Sequence, residues 1–148
     1  MTTITPPRGY DWSFVGLTVH QLIMIRTFAI YVNDTLIAGA FVRGTLGTPP
    51  AQADDPWSYP RTHLLQGYGG LDVNGPEFLG VHRLNFQLRR ADLAQVKHDP
   101  RSRWAIFNIP QSGRLVLRWN DGKSQQISLL GTQDGPQLAR RLSDRASS

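Results

Sequence analysis

Three β-prone runs in close succession, followed by one helix-prone segment, constrain the last third of this chain more tightly than anything else in it. The runs are Trp104–Ile109, Arg114–Trp119 and Lys123–Leu129, and Asp134–Ser147 reads as a closing helix. Pro110-Gln111-Ser112-Gly113 and Asn120-Asp121-Gly122 stand between them. Proline presets a turn dihedral, glycine accepts positive φ, and Asp-Gly suits a tight hairpin, so both joints read as turns. Leu115, Leu117 and Trp119 alternate with Arg114, Val116 and Arg118, which predicts one core face and one wet face. Ile127 and Leu129 continue the inward face, with Gln126 and Ser128 pointing out. In the terminal segment Asp134 fits an N-cap and Pro136 a first turn. Leu138 and Leu142 then share one face with Ala139 beside them, while Arg140, Arg141 and Arg145 favour the helix C-terminus. The expected fold class is therefore mainly β: an antiparallel barrel or strongly curved sheet capped by one terminal α-helix.

Upstream the signals are weaker. Met1–Tyr10, with Pro6-Pro7, is expected to fray. Leu17–Val32 reads as one long strand or two short ones, and Thr35–Arg43 as the next, joined by a hairpin at Asn33-Asp34. Gly44–Pro60 reads as a long mobile loop that Trp57 and Tyr59 anchor back to the body. Thr62–Gln66 is read as a short strand, and Leu84, Phe86 and Leu88 as the inward positions of another. Ala91–Val96 fits a helical turn or a bent strand equally. At 148 residues the whole is expected to be a single domain.

Charge is unevenly placed. The net charge is +5, and residues 83–118 carry eight basic residues against Asp92 and Asp99, a balance of +6. Such asymmetry can mark attraction to nucleic acid or to an anionic membrane surface. Solvated arginines on wet strand faces are the preferred explanation. With no cysteine, disulfides, thiolate metal sites and cysteine nucleophiles are excluded. Phe14–Val32 is apolar, but His20, Gln21 and Arg26 interrupt it, and its Val, Ile, Thr and aromatic content favours strand over membrane helix. The reading is a cytoplasmic protein without a signal peptide.

No motif reaches catalytic or metal-binding strength. His20, His63, His82 and His98 form no ligand-spaced pair, and Asp54-Asp55 lies in a Pro-rich loop. Gly67-Tyr68-Gly69-Gly70 lacks the lysine and Ser/Thr of a phosphate loop, and nothing frames Ser13 or Ser112 as a nucleophile. No catalytic residue, metal or cofactor is expected. What remains is a constellation of Arg103, Trp104, Phe107, Arg114, Arg118, Trp119 and Lys123. Stacking aromatics in a basic groove would suit single-stranded nucleic acid, but Trp119 is in phase with the core positions.

Asp92-Leu93-Ala94-Gln95-Val96, then Gly113-Arg114-Leu115-Val116-Leu117-Arg118-Trp119-Asn120-Asp121-Gly122-Lys123, then a strand and a Leu-bearing helix, resembles the second half of bacterial PH-like and GRAM-like domains. The resemblance covers residues 84–146. It implies a seven-stranded barrel plugged by a C-terminal helix and a non-catalytic module that binds a protein or a lipid surface. The basic residues that phosphoinositide-binding members carry around their first hairpin are not matched by Asn33-Asp34. The functional expectation is a binding or assembly module engaging a protein partner or a second copy of itself, with an anionic membrane surface as a lesser option. The alternative is a small nucleic-acid-binding barrel using residues 83–118. Arg89, Arg90, Arg114 and Arg118 are the candidate contacts for either.

Overall fold

In the computed structural model, residues 4–20, 24–44, 50–101 and 109–144 are described. Seven strands form one antiparallel sheet: β1 Trp12–His20, β2 Met24–Val32, β3 Leu36–Arg43, β4 Phe86–Arg89, β5 Leu93–Asp99, β6 Gln111–Trp119 and β7 Ser124–Leu130. Their spatial order is β4-β3-β2-β1-β7-β6-β5, and the sheet curls into a half barrel closed by α3, Gly135–Ser143. The strongly curved, mainly β architecture with its terminal helix is therefore the one the late strands imply.

The two halves of the sheet are buried differently. The inner faces of both contribute Phe14, Phe28, Ile30, Leu115, Leu117, Ile127 and Leu129 to one core, against which α3 lays Leu138, Ala139 and Leu142. The outer face of β1–β3 is covered as well. Tyr68, Val73 and Phe78 pack on Ala29, Tyr31, Ala38, Ala40 and Val42, and Tyr59 packs on Val15 and Leu17. Strands buried on both faces need no polar alternation, which is why the run up to Val32 shows so little of it. It is two strands, paired from Trp12↔Val32 to His20↔Met24. The β2–β3 hairpin closes on Asn33, whose side-chain oxygen accepts from the amides of Thr35 and Leu36 at 3.0 and 2.9 Å, an Asx turn.

Several expectations are corrected. Thr62–Gln66 is a helix, α1, and Pro76–Gly80 forms a second, α2, where no element was expected. Both span five residues, about one and a half turns, too few for a 3.6-residue period to stand out. The Pro110–Gly113 turn is instead the start of β6. The ladder with β7 shifts register between Gln111 and Arg114, and Gly113 sits there at φ +80°, a bulge that glycine tolerates. Of the expected strand Trp104–Ile109, residues 104–108 lie outside the described set, as do residues 45–49 of the expected loop. The described remainder of that loop is fastened: the Tyr59 hydroxyl donates to the Ala53 carbonyl at 2.7 Å, and the Thr132 amide to Asp54 at 2.7 Å. Residues 5–10, expected to fray, run beside residues 70–73, with the Arg8 amide on Leu71 and the Val73 amide on Arg8. Helix α3 spans Gly135–Ser143, with residues 145–147 of the expected helix outside the described set, and Asp134 caps it by accepting from the Gln137 amide at 3.0 Å. No helix among the described residues is long and apolar enough to cross a membrane.

Candidate interaction site at the sheet seam

Strands β4 and β5 are the two outermost strands of the sheet, yet only Arg90–Asp92 separates them in sequence. That segment is a single 3-10 turn, and β5 then begins with a register shift between Leu93 and Gln95. The helical-turn and bent-strand readings of Ala91–Val96 thus each describe part of it. This short crossing forms the seam where the curled sheet meets itself.

Arg90 ties the seam together. It is only 5% exposed. Its Nη1 donates to the Asn33 carbonyl at 2.9 Å, and its Nη2 faces the carbonyls of Arg141, Leu142 and Asp144 at 2.9, 3.0 and 2.9 Å. The last three belong to the end of α3, where helix carbonyls lack intrahelical donors and carry the negative end of the dipole. The Arg90 amide also donates to Thr35. As a surface contact for an anion Arg90 is therefore a correction: a buried guanidinium satisfying carbonyls from two other elements cannot reach a ligand in solvent.

The other three arginines separate. Arg114 lies on the outer face, where its Nη2 meets Asp99 Oδ2 at 2.9 Å and its Nη1 donates to Gln126 at 2.7 Å. Asp99 also accepts from the Arg101 amide at 2.9 Å. That amide, then the Arg101 guanidinium, then Arg114 hold the Asp99 carboxyl well below the usual carboxylate range. Arg114 is thus already matched to an acid. Arg118, exposed, stands across from Gln95 on the same outer face. Arg89, also exposed, is at the seam.

At the seam Arg89 meets residues the sequence did not single out together. A cavity of about 500 Å³ is lined by Leu88 and Arg89 from β4, Asp92 from the 3-10 turn, and Trp119, Asn120, Asp121 and Lys123 from the β6–β7 hairpin. The hairpin is docked onto the turn, since the Asn120 amide donates to Asp92 at 2.8 Å and its side chain to Ala91 at 3.2 Å. The hairpin tip is closed by Lys123, whose amide donates to the Asp121 carboxylate at 2.9 Å. Leu88 and Trp119 are half-buried and continue the inner core outward. The cavity therefore has an apolar wall, two cations in Arg89 and Lys123, and two anions in Asp92 and Asp121. Of the aromatic and basic constellation, Trp119 and Lys123 converge here. Arg103, Trp104 and Phe107 lie outside the described residues. Nothing local in the sequence marks Leu88, Asp92 or Asp121, because their proximity depends on how the curled sheet closes.

The histidines have structural surroundings. His82 stacks on Phe41 at 4.2 Å, the His98 ring nitrogen lies 2.8 Å from the Ser112 carbonyl, and His63 is exposed. Among the described residues no three His, Asp or Glu side chains gather in a way that could hold a metal. Comparison with protein-family models, curated proteins and solved structures finds no match to this chain.

Proposed function

We propose that this chain is a non-catalytic binding or assembly module of PH-like type, acting in the cytoplasm, and that it engages a protein partner at the seam cavity. Seven antiparallel strands closed by a terminal helix are what the resemblance implies for such a module. The observation that carries the functional reading is the cavity's make-up: a half-buried tryptophan and a leucine open to solvent inside a rim bearing both signs of charge. Protein interfaces concentrate energy on aromatic anchors surrounded by a polar rim. A polyanion instead calls for an unbroken positive surface, and here Asp92 and Asp121 interleave with Arg89 and Lys123. The same argument disfavours an anionic membrane surface.

The test uses Arg89→Glu/Lys123→Glu, which alters two exposed rim residues and leaves the core alone. Sedimentation of the wild-type protein across a concentration series reports whether a second copy is the partner, and affinity capture reports any other. In either assay the double variant loses the association at an unchanged melting temperature. Association that survives in the variant refutes the seam. Tight, steeply salt-dependent binding of a single-stranded oligonucleotide would put the nucleic-acid barrel in its place.

A further inference from the structure

The charges around the seam are ordered more closely than a general protein-binding role requires. One wall, from β4 and the 3-10 turn, bears Arg89 and Asp92. The other, the β6–β7 hairpin, bears Asp121 and Lys123. Each wall thus holds one cation and one anion, and Leu88 and Trp119 line the same space. All four charged residues are exposed. Among the described residues none of the four joins an ion pair; those that form tie Asp99 to Arg101 and to Arg114.

The walls are fixed before anything binds. The Trp119 amide donates to the Lys123 carbonyl at 2.8 Å and the Gly122 amide to Trp119 at 2.9 Å, with Gly122 at φ +87° in the tip. The Asn120 amide fastens the hairpin to the opposite wall at Asp92. A rim held in this way loses little further freedom on association.

Charge narrows the choice of occupant. The chain carries +5, so two copies repel one another over most approaches. At the seam two cations and two anions sum to zero, and two copies meet there without that penalty. A two-fold axis through the cavity mouth exchanges the walls. Arg89 of each copy then faces Asp121 of the other, and Asp92 faces Lys123. Every rim charge meets its opposite, as a self-complementary interface requires, and the apolar surface of Leu88 and Trp119 is closed off between them. We propose that the occupant of the seam is a second copy of this chain, joined face to face about such an axis. This rests on the seam reading above and commits it to one partner.

Two charge variants test it. Arg89→Glu/Lys123→Glu leaves a rim of four acids. Asp92→Lys/Asp121→Asn leaves a rim of three bases, and the amide oxygen at position 121 still accepts from the Lys123 amide. Sedimentation equilibrium of the wild type from about 10 μM to about 1 mM shows the average mass rising towards two chains. Each variant alone keeps the mass of one chain. Mixed in equal amounts, the two form a one-to-one dimer, because three of the four rim contacts again join opposite charges. Arg118→Glu, exposed outside the seam, dimerises like the wild type. A wild type that stays monomeric at about 1 mM overturns the second copy and leaves the seam to another protein. Variants that remain monomeric when mixed, or a monomeric Arg118→Glu, overturn the rim pairing. An association that the acidic variant keeps by itself overturns the seam reading as well.

Discussion

Replacing Arg90 with methionine keeps most of the side-chain volume and removes the guanidinium, so the loss can be worked from its hydrogen bonds. Nη2 faces three carbonyls with only two hydrogens, and Nη1 serves Asn33. Among the described residues, about three charge-assisted bonds act at full strength, at roughly 1.5–3 kcal/mol each. Keeping a guanidinium out of water offsets several kcal/mol of that gain. Among the described partners, the bond to Leu142 is the one whose loss leaves a fully buried acceptor behind, and an orphaned acceptor costs about 1–3 kcal/mol. The other carbonyls are part-buried and regain water. The net loss expected is about 3–4 kcal/mol, near the range for breaking a buried ionic arrangement. For a domain of this size it lowers the melting temperature by roughly ten degrees. Urea unfolding followed by far-UV circular dichroism measures it, and hydrogen exchange should show the last turn of α3 opening first. Arg90→Lys, whose ammonium lacks the planar fork, should fall between the two. If Arg90→Met stays within about 1 kcal/mol of wild type, the reasoning that Arg90 joins the β2–β3 turn to the end of α3 is wrong.

Leu142→Ala should cost about 2–4 kcal/mol in the same unfolding assay, because Leu142 is 2% exposed in the main core; a loss below about 0.5 kcal/mol would mean α3 is not packed there. Gly113→Ala should be destabilising by more than about 1 kcal/mol, since Gly113 has φ +80° and an added Cβ would meet the Asp99 carbonyl and the His98 ring; unchanged unfolding would show that the bulge is not rigid. Asp99 has a depressed carboxyl pKa, so its contribution is full above the unfolded value of about 3.9 and is lost as pH falls through the folded value. Asp99→Asn should therefore flatten the acid limb of the stability profile below about pH 4, and superimposable profiles would exclude the linkage. Titration with a short single-stranded oligonucleotide should leave tryptophan fluorescence unaltered at low and moderate salt, and saturable, salt-sensitive quenching would contradict the mixed-sign seam.

Where local pattern and environment agree, the sequence alone determined the structure. The alternation in β6 and β7 was legible because one face of each strand is solvated, so polarity records which face is which. Helix α3 was legible for a similar reason: Asp134, Pro136, Leu138 and Leu142 act within a few residues of one another. Tertiary structure alone decided the rest. β1–β3 are covered on both sides, which erases the alternation that would have marked their faces, and the helices that cover them are too short to show a period. Arg90 looked like its neighbour Arg89, yet one is buried under the end of α3 and the other borders an open cavity. Their fates differ because the 3-10 turn at Arg90–Asp92 aims them differently, and the carbonyls that receive Arg90 lie more than fifty residues away in sequence. The cavity beside Trp119 exists for the same reason: it appears only when β4 and the β6–β7 hairpin are brought together by the curl of the sheet.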